Sequence, residues 1–185
     1  MSGCRTLVVA QGKSEIVFCK GIASNLKMLL EVDSEDKGET CIQIRQLEER
    51  FSSGTYASEH ELHKAFGKLE YLDEEVKMPR LRIFPIMDTD DSPQEKKSYR
   101  TDNMFKTSVF KDRITPIFNT PNIDAVLTEC GFEINPNNKI RSIHKLVNNH
   151  ELNELINALK DCRNSNLVVF LNYCASITPE YQKKV

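Results

Sequence analysis

The stretch Arg80-Leu-Arg-Ile-Phe-Pro-Ile-Met87, followed at once by Asp88-Thr-Asp-Asp91, decides the fold expected of this chain. Its apolar run is typical of a buried strand, and the acidic residues end that strand. Residues two apart in an extended segment point the same way, so Asp88 and Asp90 can address one ion, with Asp91 joining where the strand breaks. Carboxylates are common ligands of hard cations such as Mg²⁺. The motif predicts a strand-end metal site, and a solvated acidic turn opening the next helix is the alternative.

A second junction, where an apolar strand ends on polar residues, lies near the N-terminus. Residues 5–10 form an apolar, β-branched run that ends on Gln11-Gly-Lys-Ser-Glu15. A helix is expected from Ser14 onward, because the apolar residues that follow have nearly helical spacing. The turn is not a phosphate-binding loop, since Leu7 stands where that motif needs its first glycine.

Strand and helix patterns alternate along the chain. Further strands are expected at 29–32 and 114–118, and helices at about 40–52, 58–72, 123–130 and 151–162, while 166–174 is either a last strand or a buried helix. This alternation predicts an α/β fold with a mostly parallel central sheet flanked by helices. We expect one domain, with a core at about 5–130 and a C-terminal α/β extension at about 131–185. Because sites in such sheets lie beyond the carboxyl ends of the strands, the two junctions are expected to form one site.

The bulk composition limits the classes of protein. The chain has 185 residues, a net charge of −2 and a pI near 6.1, so no overall basic field holds nucleic acid non-specifically. The N-terminus has no secretory-signal pattern, and no stretch approaches the roughly 20 apolar residues of a membrane span. Six cysteines without CxxC spacing are expected to be reduced thiols. These features predict a cytoplasmic protein with no membrane partner.

The motifs occur in an order that resembles a known domain. A strand ending in Gly-Lys-Ser-Glu15 is followed by a charged turn with Gly38, and a later strand ends in Asp88-Thr-Asp90. Over roughly residues 5–130 this resembles the Toprim domain, the metal-binding catalytic module of type IA and type II topoisomerases, bacterial primases, ribonuclease M5 and the overcoming-lysogenisation-defect nucleases. The resemblance implies a Toprim-like sheet and Mg²⁺ or Mn²⁺ as cofactor.

The resemblance also implies roles for individual residues. In the family an acidic residue follows a Glu-Gly pair after the first strand, and a further acid lies on a helix after the fourth strand. Glu15 and Asp124 match these two positions. The implied metal ligands are Asp88, Asp90, Asp91 and Asp124, and the implied catalytic positions are Gln11, Lys13 and Glu15.

The sequence departs from the family at one of these positions. Where the family has the Glu of its Glu-Gly pair, this chain has Gln11. An amide keeps the shape and one carbonyl oxygen of a carboxylate but cannot gain and lose a proton. Two explanations stay open: a natural copy that cuts poorly or not at all, and a near-isosteric replacement made to trap an inactive form.

The expected function is therefore a Mg²⁺-dependent Toprim-type nuclease that cleaves DNA or RNA, with activity reduced or abolished by Gln11. The resemblance implies tRNA as one possible substrate, a partner ATPase and a role in antiphage defence. Lys96, Lys97 and Arg100, just after the acidic cluster, are candidates for contacts with a nucleic-acid backbone, and a solvated helix face is the alternative. The alternative function is a non-catalytic metal- or phosphate-binding subunit, regulatory or structural, of a larger complex.

Overall fold

The structure, a computed structural model, describes residues 5–69, 81–90 and 93–178. Asp91 and the end of the predicted helix at 58–72 lie outside these residues. The strands are β1 (Thr6–Ala10), β2 (Glu31–Asp33), β3 (Arg82–Asp88) and β4 (Ile117–Asn119). The α-helices are α1 (Lys13–Asn25), α2 (Ile44–Arg50), α3 (Glu59–Ala65), α4 (Pro93–Arg100), α5 (Ile123–Glu129), α6 (Lys139–Asn149), α7 (Leu152–Leu159) and α8 (Leu167–Ile177).

The four strands form one sheet in the order β2-β1-β3-β4, and every pairing is parallel. The longest pairing joins the two motif-bearing strands, from Thr6 opposite Arg82 to Ala10 opposite Ile86. Strands of a parallel sheet are buried on both faces and therefore appear as continuous apolar runs. The prediction of an α/β fold with a parallel central sheet flanked by helices is confirmed.

Each face of the sheet carries its own hydrophobic core. Side chains alternate along a strand, so Val8 and Phe84 lie on one face while Leu7 and Ile83 lie on the other. The first face is covered by α1, α5, α6, α7 and α8. The second face is covered by α2, α3, α4 and the segment around Phe110. The two layers leave the carboxyl edge of the sheet open to polar residues.

The C-terminal part of the chain belongs to the first of these cores. Its described residues contain three α-helices, with one isolated antiparallel bridge between Ser165 and Asn119. The ambiguous segment 166–174 is helical, and it buries Leu167, Phe170 and Leu171 at helical spacing. A short apolar run does not distinguish a buried helix from a strand by periodicity alone, and the packing decides between them.

Helix α6 was not among the predicted elements, yet it is central to the packing. Its buried residues Ile143, Leu146 and Val147 have helical spacing. Val147 meets α1 at Gly21, where an added Cβ would lie 2.3 Å from Val147 Cγ2. The side-chain amide of Asn25 donates to the backbone carbonyl of Val147 as well. Gly21 therefore permits the close approach that fixes α6 beside α1.

None of the helices within the described ranges combines the length and apolar character that crossing a bilayer requires.

Candidate functional site

Glu15 is a buried carboxylate at the start of α1. The helix begins after Gly12, and Glu15 Oε2 accepts a hydrogen bond of 2.9 Å from the Gly12 backbone N–H. The side chain is only 3% exposed, and its other oxygen, Oε1, has no hydrogen-bond partner among the described residues. Burial raises the pKa of Glu15 to about 7, backbone hydrogen bonds oppose this rise, and the charge of Asp124 adds to it. An unpaired buried oxygen of this kind favours a proton or a cation.

Asp88 ends β3 at the same edge of the sheet. Its Oδ1 accepts a hydrogen bond of 3.0 Å from the backbone N–H of Ile123, the first residue of α5. Burial raises the pKa of Asp88 to about 8, and the next cause is the negative charge of Glu15, with smaller contributions from Asp124 and Asp90. The structure thus brings these four predicted site residues into one electrostatic neighbourhood.

Gln11 joins the ends of the two central strands. Its backbone N–H donates to the carbonyl of Ile86 at 3.2 Å, and its backbone carbonyl accepts from Ile42 at 3.1 Å. Its side-chain oxygen accepts a hydrogen bond from the backbone N–H of Asp88. The Gln11 amide therefore orients the backbone that carries Asp88.

Asp124 lies in the cluster but is already paired. Its Oδ2 forms an ion pair of 2.8 Å with Lys139 Nζ, and its Oδ1 accepts from the Ser14 hydroxyl at 3.3 Å. Lys139 is the first residue of α6, and its pKa is raised by the hydrogen bond and charge of Asp124 and, more weakly, by Asp88. The sequence does not predict that Lys139 belongs to the site, because no local motif links it to Asp124, which is distant along the chain.

Two predicted residues lie at the margin of the site. Lys13 forms an ion pair of 2.5 Å with Glu39, and its side chain is half exposed. Asp90 is exposed and acts on Asp88 through its charge. Asp91 is outside the described residues. The carboxylates at the centre are therefore Glu15 and Asp88.

The turn after β2 packs against the beginning of α1. Gly38 has a φ of +88°, and an added Cβ would lie 2.6 Å from Ile16 Cδ1 and 3.0 Å from the Lys13 backbone nitrogen. Both the backbone conformation and the close contact favour glycine. The charged turn singled out in the sequence thus supports the first-strand junction directly.

Arg100 lies at the neighbouring strand end. Its guanidinium is 4.0 Å from the centre of the Phe118 ring, and Nη2 donates to the Thr120 hydroxyl at 2.7 Å. Thr120 in turn shares a hydrogen bond with Thr89, one residue after Asp88. Of the three cations that follow the acidic cluster, Arg100 is therefore held beside the site by specific contacts.

The carboxyl groups suit a cation, although they do not form a complete coordination shell. In residues 5–69, 81–90 and 93–178, no group of three or more His, Cys, Asp or Glu side chains forms a ligand set for one metal ion. Mg²⁺ is often bound through one or two carboxylates and retains several waters, so a larger set is not required. The unpaired Oε1 of Glu15 is the oxygen available to such an ion, and the exposed Asp90 adds negative charge near Asp88.

No family model, curated protein or solved structure matches this chain. The geometry of its own residues is therefore what supports a function.

Proposed function

We propose that this chain is a Toprim-type phosphodiesterase that uses Mg²⁺ or Mn²⁺ to cleave DNA or RNA. The observation that carries the proposal is the pair Glu15 and Asp88: Glu15 is buried at the start of α1, and Asp88 is half-buried at the end of the adjacent strand β3. The charge of Glu15 raises the pKa of Asp88, and one oxygen of Glu15 lacks a hydrogen-bond partner among the described residues. A divalent cation offsets the repulsion between the two negative charges and gives the unpaired oxygen of Glu15 a partner.

Each residue has a defined task in this proposal. Glu15 and Asp88 hold the ion, and the Ile123 N–H and the Gln11 side chain fix the position of Asp88. A bound divalent ion supplies polarisation of the phosphate and activation of water. Arg100, at the neighbouring strand end, offers positive charge to the phosphates of a substrate, whereas Lys139 is paired with Asp124.

Proton transfer is the weak step of this centre. Gln11 cannot exchange a proton, and its carbonyl oxygen is already used by the backbone of Asp88. Glu15, whose pKa is raised to about 7, is the carboxylate suited to exchange a proton near neutral pH when it is not holding an ion. We therefore expect slow cleavage at most.

A second candidate function follows from the same residue. If the only role of Gln11 is to accept the hydrogen bond from the Asp88 backbone N–H, the site binds metal and phosphate without cleaving a substrate. The chain is then a regulatory or structural subunit of a larger complex. In either case a partner ATPase and a role in antiphage defence remain proposals that the Toprim resemblance motivates.

The metal site is tested by calorimetry with Mn²⁺. We expect wild type to bind and the Asp88→Asn and Glu15→Gln variants to lose most of this affinity. Asp161→Asn, which removes an exposed carboxylate outside the cluster, is the matched control and is expected to bind as wild type does. Equal affinity in all four proteins would contradict the metal site.

Catalysis is tested separately by restoring the family's glutamate. Gln11→Glu and wild type are assayed with Mn²⁺ on plasmid, single-stranded DNA and tRNA, and Gln11→Glu/Asp88→Asn is the control for contaminating nucleases. Cleavage by Gln11→Glu that the double variant lacks supports the phosphodiesterase. Metal binding without cleavage of any of the three substrates favours the binding module.

A further inference from the structure

Helix α6 carries two cations, Arg141 and Lys145, that the metal site does not use, in addition to Lys139, which pairs with Asp124. Between residues 134 and 150 the chain has Lys139, Arg141 and Lys145 and no acidic residue, although the whole chain has a net charge of −2. Arg141 and Lys145 are exposed, and they stand four apart, on one side of the helix. The charge is therefore concentrated on one surface.

This surface forms one wall of a groove. The loop that follows α5 lies opposite α6, and together they enclose a cavity of about 720 Å³. Arg141, Lys145 and Asn149 line it from the helix, and Phe132 lines it from the loop. His150 closes one end, with its ring 5.2 Å from that of Phe132 in an edge-to-face contact. The groove is thus lined by cationic, amide and aromatic side chains together.

The beginning of α6 lies near the site carboxylates. Lys139 at the beginning of α6 is paired with Asp124, whose charge raises the pKa of Glu15 and Asp88. Lys145 is six residues further along the helix, about 9 Å at the helical rise. Lys139 itself does not line the groove, and because it is two residues from Arg141 in the helix the two side chains face different directions.

We propose that the groove between α6 and the loop at 131–138 binds a single-stranded segment of nucleic acid, whose cleavage the nearby metal site would carry out. The phosphates contact Arg141 and Lys145, and a base lies against the Phe132 and His150 rings. Backbone cations combined with aromatic surfaces are the usual means of binding single strands without sequence preference. The inference rests on the proposed function, since it assigns the substrate of that centre.

An acidic polypeptide is the other polyanion that Arg141 and Lys145 could attract. Two observations favour nucleic acid: the paired rings and the amide of Asn149 for base edges. Glu133, which also lines the groove, repels either polyanion. Competition by polyglutamate therefore belongs in the test.

The experiment measures binding without metal, so that it does not depend on cleavage. Fluorescence anisotropy of a labelled oligothymidine is recorded in EDTA for wild type and for Arg141→Glu/Lys145→Glu. The control, Lys64→Glu/Lys111→Glu, makes the same change of charge on exposed residues from the elements that cover the other face of the sheet. We expect Kd to rise on the order of tenfold or more in the α6 variant and to change by less than about twofold in the control.

The neutral variant Arg141→Gln/Lys145→Gln adds an independent readout. The slope of log Kd against log salt concentration is expected to fall by about 0.7 for each phosphate that the variant no longer neutralises. Circular dichroism confirms that the variants fold. Equal weakening in the α6 and control variants, unchanged binding in the α6 variant, no binding by wild type, or displacement by polyglutamate as readily as by oligonucleotide would each overturn the proposal.

The two proposals fail in different ways. If the α6 variant alone loses oligonucleotide binding but no protein cleaves with Mn²⁺, the groove stands and the phosphodiesterase does not. If wild type or Gln11→Glu cleaves and the α6 variant binds and cleaves equally well, the groove is wrong and the phosphodiesterase stands.

Discussion

The side-chain oxygen of Gln11 accepts a hydrogen bond from the backbone N–H of Asp88, across the ends of β1 and β3. This contact gives the Gln11 amide a structural role, because it orients the backbone of Asp88. A carboxylate oxygen accepts the same hydrogen bond, so the geometry does not itself require an amide. What differs between the two side chains is charge, because a glutamate there joins Glu15 and Asp88 as a further negative group.

The first prediction concerns stability at position 11. Gln11→Ala removes the acceptor of the Asp88 N–H and is expected to lower the free energy of unfolding by about 1–2 kcal/mol. Gln11→Glu keeps the acceptor but adds negative charge near the buried Glu15 and the half-buried Asp88, so it is expected to be destabilising in EDTA and to recover stability in Mn²⁺. Urea unfolding with and without Mn²⁺ measures both effects. Equal destabilisation of Gln11→Glu with and without the ion would show that charge is not the cause.

The second prediction is a dependence of stability on pH. Glu15 has its pKa raised from 4.5 to about 7 and Asp88 from 3.8 to about 8, so the folded chain holds more protons than the unfolded chain between these values. The free energy of unfolding contributed by these groups is therefore full below about pH 4 and falls as the pH rises towards 8. Urea unfolding in EDTA across this range should show the decline. Asp88→Asn should reduce it, and Asp161→Asn should leave it unchanged.

The third prediction concerns Lys139 and the strength of metal binding. Lys139 neutralises Asp124, which lies in the same acidic neighbourhood as Glu15 and Asp88. Lys139→Gln leaves that negative charge unpaired and is expected to tighten Mn²⁺ binding several-fold, because opposite charges attract more strongly in a partly buried site. Calorimetry at fixed pH measures the change. Lys145→Gln, on the same helix but further from the cluster, provides the comparison, and an equal gain there would contradict the role of Lys139.

The fourth prediction tests the contact that holds α6. Gly21→Ala places a methyl group 2.3 Å from Val147 Cγ2, and Val147 is fully buried. Alanine favours a helix intrinsically, but the overlap is expected to dominate and to destabilise the protein by about 1–3 kcal/mol. Thermal unfolding of both single variants and of Gly21→Ala/Val147→Ala gives the coupling. If the double variant is no more stable than the sum of the two single effects predicts, then the overlap with Val147 is not what makes Gly21→Ala destabilising.

The amino-acid sequence by itself determined the central sheet and the location of the acidic groups. Apolar runs at 5–10 and 80–87 are sufficient to identify two buried strands, because parallel strands are covered on both faces. The polar residues that end them, Gln11 to Glu15 and Asp88 to Asp90, then lie at one edge for topological reasons. Neither conclusion depends on knowing how distant segments pack.

Only the tertiary structure decided which side chains form the centre. Lys13 and Glu15 are two apart in a helix and face different directions, so one pairs with Glu39 in solvent while the other is buried. Lys139 reaches Asp124 because Gly21 lets α6 approach α1, which is a matter of packing between distant segments. The sequence shows where charge is available, but burial and the packing that excludes water determine which carboxylates favour a cation.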